Sequence, residues 1–314
     1  SSDLTDGANV SPNGVLNISG ANTSTAQSAG QLLVDFFNKT ADLREVLYPK
    51  YDFDYIPDWT ENTAVQQSII SLADDIGVTM PLVSCPHYYN TKITTKNLPD
   101  YDLEVRKDHL YQSSYNSMLY SGQMNKTHLT PKGSRIYMPF SYYAMCAHLR
   151  VDNNYSITEP VANIEKGIIR TQTLKLSHEL YSEDIAELRK QQINCIVSDG
   201  NTNYFIDQIT SYKKKSKLSL GNVVKTIQYL QVLIPAKLKP YLQKKETDPA
   251  ITTNAMNELQ EILKPYKVNV NSKDAIFKTV VIKQSFNDNV LQLLLRLNPA
   301  GTTEKIEVPI IVEG

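Results

Sequence analysis

The chain has 314 residues, which is enough for one large or two moderate domains with a sizeable core. Its 32 basic and 33 acidic side chains give a formal net charge of −1, which argues against a protein that mainly grips nucleic acid. No run of 18 or more apolar residues occurs, so no membrane span is predicted.

The first residues are rich in Ser, Asn, Thr and Gly, a composition that favours an irregular arm over residues 1–24. They contain neither an initiator methionine nor the apolar segment of a signal peptide. We therefore expect either a processed chain or a fragment of a longer protein, and we favour the fragment.

Apolar periodicity from residue 24 onward predicts alternating helices and strands in the first half. The expected elements are helix 24–38, strand 52–57, helix 62–76, strand 78–85, helix 103–121, strand 134–139, helix 142–151 and loop 153–163. The order strand, helix, strand between residues 52 and 85 indicates a βαβ unit with parallel strands.

The second half is predicted to mix helices with antiparallel strands. Its expected elements are strand 167–176, helix 182–192 with Ser182 as N-cap, strands 194–198 and 204–210 around a Ser-Asp-Gly-Asn turn, a helix in the first part of the stretch 218–241, helix 248–266, and strands 275–284, 290–297 and 305–312. Pro309 cannot donate to a strand ladder and marks the last strand as an edge or irregular strand.

The predicted fold class is therefore α/β plus α+β. A partly parallel sheet flanked by helices forms the first half, and the second half is α+β with terminal antiparallel strands. We expect an α/β domain at 25–164 and a second domain, with a docking helix and terminal strands, at 165–314.

The stretch 218–241 organises this second domain. Its apolar residues Val223, Ile227, Leu230 and Ile234 form one helical stripe, and Ser219 is the expected N-cap. Proline in a helix interior removes a hydrogen bond, so the helix is predicted to end near 234, before a kink or a short second segment. Lysines stand on both sides of the helix, which fits either a core helix with solvated lysines or a docking surface.

No motif of a dinucleotide, P-loop, zinc-protease or serine-hydrolase site occurs. The five histidines lack metal-ligand spacing, and His148 fits a core position inside an apolar helix. Cys85, Cys146 and Cys195 lack CxxC or Cys/His pairing, so buried reduced thiols of an intracellular protein are expected. No cofactor, no metal site and no enzymatic activity are predicted.

Two stretches resemble the tail sheath proteins of contractile phages and related injection machines. In 142–163 a helix of small residues leads through an Arg-x-Asp to a Pro and Ala, with matching residues Ala144, Ala147, Arg150, Asp152, Pro160 and Ala162. In 191–230 an Ile-Asn strand precedes a helix with a Val-Asn-Val-Arg-like start, matched by Ile193, Asn194, Asn222, Val223 and Lys225. A closing Pro-Ala turn, Pro299 and Ala300, follows in the same order. The resemblance, to a divergent sheath protein such as that of a giant phage, runs from about Phe53 to the C-terminus.

The resemblance implies a structural subunit of a bacteriophage virion, assembled in the host cytoplasm as part of a contractile tail. Copies of the chain would form a homo-oligomer around a tail tube protein, with baseplate and tail terminator proteins as further partners. Contraction would drive the tube through the host envelope.

The resemblance also implies two assembly surfaces. An acidic tube would be contacted by the basic residues of the docking helix, namely Lys225, Lys237 and Lys239. The last strand would add to a neighbour's sheet through backbone hydrogen bonds, with candidate residues Lys305, Ile306, Val308, Ile310 and Ile311. Pairing of this strand within its own subunit is the alternative.

Two other function classes stay open at this point. A nucleic-acid-binding or scaffold domain would use the lysine run at 213–217 and bind in a salt-sensitive manner. An α/β enzyme would need a Ser or Asp and a His that converge in one cavity.

Overall fold

The computed structural model describes residues 8–10, 16–18, 29–38, 54–58, 60, 62–86, 98–128, 135–170, 175–200, 202–214, 216–241, 249–268, 272–287, 290–300 and 306–312. The chain forms two units that are not contiguous in sequence. The first unit contains Ser1–Ala147 and Ala162–Lys213, and the second contains His148–Val161 and Lys214–Gly314.

This division differs from the predicted domain boundary between residues 164 and 165. The segment His148–Val161 belongs to the second unit, whereas Ala162–Lys213 returns to the first. Contacts that lie far apart in sequence set this division, so the composition change near residue 165 does not reveal it.

The first unit is built on a parallel sheet with helices. Its strands are β1 Ala8–Val10, β2 Leu16–Ile18, β3 Tyr55–Pro57, β4 Met80–Ser84, β5 Met118–Tyr120, β6 Met124–His128, β7 Arg135–Pro139, β8 Lys175–Leu176, β9 Ile193–Asn194, β10 Ile196–Ser198 and β11 Asn203–Phe205. Its helices are α1 Ala29–Asn38, α2 Thr63–Ile76, α3 Leu98–Asp108, the start of α4 Phe140–Asn154, α5 Asn163–Lys166 and α6 Ser182–Lys190.

The parallel sheet has the strand order β3-β4-β5-β9, which confirms the predicted βαβ unit. Strand β4 is buried along its whole length, as expected for a central parallel strand. Helix α2 connects β3 to β4; Asn62 accepts hydrogen bonds from the amides of Ala64 and Val65 at its start, and Gly77 ends it with φ of 77°.

Antiparallel pairs complete the first unit. Strand β6 lies between β7 and β8, and β10 pairs with β11. Strands β1 and β2, inside the stretch predicted as an irregular arm, also pair, with Val10 opposite Leu16.

Several element predictions in this unit are wrong in type or extent. The helix predicted over 103–121 is two elements, because α3 ends at Asp108 and the fully buried Met118–Tyr120 is a strand of the parallel sheet. Of the strand predicted over 167–176, Lys175–Leu176 is a regular strand and residues 167–170 are not, whereas residues 171–174 lie outside the described ranges. Helix α6 begins at Ser182, so Tyr181 rather than Ser182 holds the N-cap position.

The three cysteines differ in their solvent exposure. Cys85 and Cys195 are buried as predicted, but Cys146 is exposed, so the expectation of a buried thiol there is wrong. Helix α4 has a solvent face that includes Leu149 as well as Cys146, and these residues are as apolar as their buried neighbours, so the sequence does not reveal that face.

The second unit packs two helices on a three-stranded sheet. Its elements are the 3₁₀ turn Lys217–Ser219, α7 Gly221–Leu238, the 3₁₀ turn Lys239–Tyr241, α8 Pro249–Leu263, the 3₁₀ turn Lys264–Tyr266, β12 Phe277–Asn287, β13 Val290–Pro299 and β14 Ile306–Val312. The sheet is antiparallel with the order β12-β13-β14, which confirms the terminal antiparallel strands. The buried residues of its core are Val223, Ile227, Leu230, Ile234, Leu238, Ala255, Leu259, Leu263, Tyr266, Ile276, Phe277, Leu295 and Leu297.

Helix α7 is longer than predicted. It continues through Pro235 to Leu238 instead of ending near Ile234. Pro235 lies on the exposed side, whereas Ile234 and Leu238 are buried in the core, so packing of the last turn outweighs the lost hydrogen bond. Ser219 lies in the preceding 3₁₀ turn, which Ser216 caps, and Leu220 is the N-cap residue of α7.

None of the helices in the described ranges is both long enough and apolar enough to cross a bilayer.

Candidate assembly surfaces

Helix α7 presents its four predicted apolar residues to the core, as its periodicity indicates. Val223, Ile227, Leu230 and Ile234 are all buried against α8 and the sheet. Helix α7 can therefore be both a core helix and a docking helix. One face packs in the core, and any docking contact would use residues outside that face.

Lys225 lies on the buried part of this helix. Its side chain is 4% exposed, and Nζ forms an ion pair and hydrogen bond with Asp152 Oδ1 of α4. Both residues belong to the stretches that carry the sheath resemblance, and the fold brings them together over 73 positions of sequence.

His148 completes this buried polar group, one helical turn before Asp152. It is 1% exposed, as expected for a core histidine. Burial, followed by the positive charge of Lys225, holds the pKa of His148 well below its ordinary value, so the imidazole is neutral at neutral pH.

Further contacts hold the segment 148–161 within the second unit. Asn222 Nδ2 donates to Thr158 O at 2.9 Å, and Lys273 Nζ donates to Tyr155 O at 3.0 Å. Ser156 Oγ donates to Asp274 Oδ1. These contacts explain why this segment belongs to the second unit although it precedes Ala162–Lys213.

Lys237 and Lys239 occupy a different position from Lys225. Both are exposed at the C-terminal end of α7, where a positive charge also complements the helix dipole. A contact between the three lysines and a tube stays a prediction. Lys237 and Lys239 can make it as they stand, whereas Lys225 would first have to leave Asp152.

Strand β14 is the outer strand of its sheet. It pairs antiparallel with β13 from Leu291↔Val312 to Leu297↔Ile306. One side of the strand therefore pairs within its own subunit, as the alternative predicted. In the described part of the chain no strand pairs with its other side. The candidate residues Ile306, Val308, Ile310 and Ile311 lie in this strand, and Lys305 lies outside the described residues.

The position of Pro309 indicates which backbone N–H groups of β14 point away from β13. Pro309 pairs with Leu294 without an N–H to donate, which suits a position whose N–H would point away from β13. In an antiparallel strand, alternate residues direct their backbone groups to the same side. The open side would therefore present the amides of Glu307 and Ile311 to a further strand.

The lysine run is divided by the fold. Lys213 and Lys214 are exposed, Lys217 is half-buried in a 3₁₀ turn, and Lys215 lies outside the described residues. The amide of Lys213 donates to Ser113 Oγ at 2.9 Å, which fixes the backbone at the start of the run.

The carboxyl end of the parallel sheet is the place where α/β proteins usually bind ligands. Here Gln66 Nε2 donates to Asp58 Oδ2 at 2.5 Å and to Ser84 O at 2.9 Å. Ser141 at the start of α4 donates its Oγ to Asp58 O at 2.6 Å and its amide to Ser84 Oγ at 3.0 Å. All four residues are buried, so these polar groups tie α2 and α4 to the sheet.

Two buried charged residues of α3 escaped the sequence interpretation. Asp102 is buried and accepts hydrogen bonds from Ser121 Oγ at 2.5 Å and from Gly122 N at 3.0 Å and 3.1 Å. Burial raises the pKa of this carboxyl to about 7.

Arg106 lies one turn later and is also buried. It donates to four backbone carbonyls, those of Leu110, Gln112, Gln191 and Ser211. Burial lowers the pKa of this guanidinium to about 10, so it keeps its charge at neutral pH. Asp102 and Arg106 lie on the same helical face as Leu98 and Val105. This spacing could have indicated from the sequence that both charged residues are buried.

Within the described ranges, no group of three or more His, Cys, Asp or Glu side chains is placed to hold a metal ion. The polar groups described above bind other parts of the chain.

Solved structures of baseplate and sheath proteins have a similar fold. A chain of the anti-feeding prophage (AFP) baseplate superposes with a TM-score of 0.61 and 9% identity, over 95% of this chain and 85% of that chain. A chain of the AFP helical sheath in the contracted state gives 0.60 and 14%, over 93% and 82%. The sheath tail protein Lin1278 from Listeria innocua gives 0.55 and 15%, over 95% and 66%.

By sequence alone, no family model and no curated protein matches the chain. The structural likeness nevertheless covers nearly the whole chain, and the sequence resemblance had pointed to the same group of proteins. The chain therefore has the fold of contractile tail sheath proteins.

Proposed function

We propose that this chain is a structural subunit of a contractile tail sheath, which packs around a tail tube and contracts to drive the tube through a host envelope. The observation that carries the proposal is the likeness to a chain of the AFP helical sheath in the contracted state over 93% of this chain. A chain of the PVC sheath complex of an extracellular contractile injection system, also contracted, has a similar fold, with a TM-score of 0.59.

Under this proposal the partners are copies of the chain, a tube protein, and baseplate and tail terminator proteins. The particle is a bacteriophage virion or a related injection machine, and its tail is assembled in the host cytoplasm. A sheath works through subunit contacts and elastic strain, so neither catalysis nor a cofactor is needed.

The open side of β14 supports a link between neighbouring copies. Backbone hydrogen bonds to a further strand would extend the sheet β12-β13-β14 into the next subunit. A ladder of backbone bonds moves with its strand, so such a link persists while subunits rotate as rigid bodies.

The exposed end of α7 supports the contact with the tube. Lys237 and Lys239 would face acidic groups of the tube protein. A single exposed ion pair contributes only about 0–1 kcal/mol, so each contact breaks easily during contraction while many copies together hold the extended state.

The tube contact can be tested with the variant Lys237→Glu/Lys239→Glu in a co-sedimentation assay with the tube protein. The proposal predicts weaker binding, with a loss that shrinks at high salt, because screening removes the attraction in both proteins. The matched control is Lys264→Glu/Lys278→Glu, which reverses two other exposed lysines of the same unit and should bind like the unchanged chain. If the unchanged chain, the Lys237→Glu/Lys239→Glu variant and the control bind equally, these two lysines do not contact the tube.

The alternative, nucleic-acid binding through the lysines at 213–217, makes a separate prediction. Binding of DNA or RNA would weaken steeply as salt rises, with a slope set by the number of phosphates contacted. A titration that shows no binding at low salt excludes this alternative.

A further inference from the structure

The chain crosses between the two units three times, after Ala147, after Val161 and after Lys213. The segment His148–Val161, here termed the inserted segment, therefore belongs to the second unit but is separated in sequence from the main part of that unit, Lys214–Gly314. Two of the three crossings are the ends of the inserted segment. If this segment leaves the main part, one chain connection, after Lys213, still joins the main part to the rest of the chain.

The hydrophobic core of the second unit lies in its main part. The buried core residues come from α7, α8, the 3₁₀ turn Lys264–Tyr266, Ile276 and the strands β12 and β13. From the inserted segment, Ile157 packs against this core as a partly buried residue. The main part can therefore keep its core when the segment is released.

Polar and charged side chains attach the inserted segment to the main part. Asp152 forms its ion pair with Lys225 of α7, and Lys273 Nζ donates to Tyr155 O at 3.0 Å. An attachment that uses charged groups is sensitive to any new charge that appears beside them.

His148 is the first residue of the inserted segment and is 1% exposed. It lies one helical turn before Asp152, whose carboxylate is paired with Lys225. Protonation of the imidazole would place a second buried cation beside a carboxylate that already has a partner. Burial and the positive charge of Lys225 both oppose this proton, which is why the pKa of His148 lies well below its ordinary value.

Other charged groups near the inserted segment do not compensate such a cation. Arg150, two residues later, lies on the opposite side of α4 and is itself positive. Lys273 and Asp274 contact the segment at residues 155 and 156, about two helical turns from the imidazole, and Glu159 lies beyond them. The ion pair on α4 and α7 therefore determines what protonation of the imidazole does.

We infer that the inserted segment is a pH switch: a proton taken up by His148 releases the segment from α7 while the main part keeps its fold. The imidazole binds a proton with its ordinary affinity once it reaches water, so acid favours the released state. Release leaves the main part on one chain connection instead of three and so increases its freedom to move. This inference goes beyond the sheath function and does not rest on it.

Hydrogen exchange of the whole chain, followed by mass spectrometry, measures this release at about pH 5 and pH 7.5, after correction for intrinsic exchange rates. The contribution of neutral His148 is present above its unfolded pKa of about 6.5 and is lost as pH falls below it. At the lower pH the segment should therefore open about 30-fold more often. Its amides should be at least about tenfold less protected than those of α8, because the segment opens before the main part unfolds.

Two variants assign the effect to the imidazole. His148→Gln has no group to protonate there, so the inserted segment should lose most of its pH dependence. His109→Gln replaces an exposed histidine of the first unit and is the matched control, which should behave like the unchanged chain.

Three results would overturn the inference. The first is equal protection of the inserted segment and α8 at both pH values, because the segment would then open only when the whole unit unfolds. The second is a segment of the unchanged chain that opens equally often at both pH values, and the third is an unaltered pH dependence in folded His148→Gln. The first two measurements use the unchanged chain alone, so they decide the inference even if His148→Gln does not fold.

Discussion

At the scale of single residues, Lys225 shows how a basic residue of α7 can serve the fold. Its side chain is 4% exposed, whereas the side chain of its partner Asp152 is 19% exposed. Removing one member of such a pair leaves the other without its counter-charge, and the cost depends on how deeply the remaining charge is buried.

This asymmetry gives a prediction for the two sides of the pair. Asp152→Asn should lower the free energy of unfolding by about 3 kcal/mol, because it removes the carboxylate charge beside the buried ammonium. Lys225→Met should cost less, because water reaches the remaining carboxylate. Urea denaturation measures both, and Lys237→Met on the same helix is the exposed control. A larger loss for Lys225→Met would contradict the arrangement.

His148 and Asp102 should act on stability in opposite directions as pH changes. The folded pKa of His148 is lowered, so its contribution is present above the unfolded pKa of about 6.5 and is lost as pH falls below it. The folded pKa of Asp102 is raised to about 7, so its contribution is present below pH 4 and is lost as pH rises through 7.

The pH dependence can be separated with two variants, His148→Gln and Asp102→Asn. Relative to the unchanged chain, His148→Gln should gain stability as pH falls below 6.5, because the variant has no imidazole to protonate. Asp102→Asn should gain as pH rises from about 4 to 7. Parallel stability curves for all three proteins between pH 4 and 8 would be inconsistent with these burial effects.

At the scale of elements, the turn after α5 depends on a glycine. A Cβ on Gly167 would lie 2.7 Å from Phe205 O, 2.8 Å from Asn163 O and 2.9 Å from Ala162 C. These are backbone atoms of α5 and β11, which cannot move aside cheaply.

Gly167→Ala should therefore lower the free energy of unfolding by about 1–3 kcal/mol. The control is Gly200→Asn, where φ is 82°, a Cβ meets nothing within 4 Å and asparagine tolerates the conformation. Thermal denaturation distinguishes the two. A stable Gly167→Ala variant would mean that the turn is looser than described.

Strand β14 yields a prediction about assembly. Ile311→Pro should remove an amide that faces away from β13, so the pairing with β13 persists while the link to a further strand weakens. Electron microscopy and sedimentation should then show folded subunits with reduced polymerisation. Folded Ile311→Pro subunits that polymerise like the unchanged chain would indicate that the open side of β14 forms no link.

Sequence patterns predicted the elements whose signals are local. The apolar stripes of α2, α7 and α8 and the runs of β12 to β14 all repeat within a few residues, so they are visible in one sequence. Pro235 misled the prediction because the packing of Leu238 decides where α7 ends. Strand β5 was hidden because three residues are too few to show a period.

The candidate surfaces were predictable only in part. The exposed lysines of α7 and the edge position of Pro309 follow from local sequence. Lys225 pairs with Asp152, which lies 73 positions away, and Arg106 donates to Ser211 O, which lies 105 positions away. No local sequence pattern could predict contacts over such separations.

At the scale of the whole molecule, the fold of sheath proteins is present in a chain whose identity to the AFP chains is only 9% and 14%. Two features fit a protein that works by assembly: within the described part of the chain the outer strand β14 has an open side, and tyrosines lie at the surface. The central claim is that copies of the chain enclose a tube.

Electron microscopy of the full-length protein, alone and with its tube protein, tests this claim most directly. The account predicts rings or hollow tubes whose lumen accommodates the tube protein. Full-length protein that remains as single subunits under both conditions, or that assembles without a central channel, would contradict it.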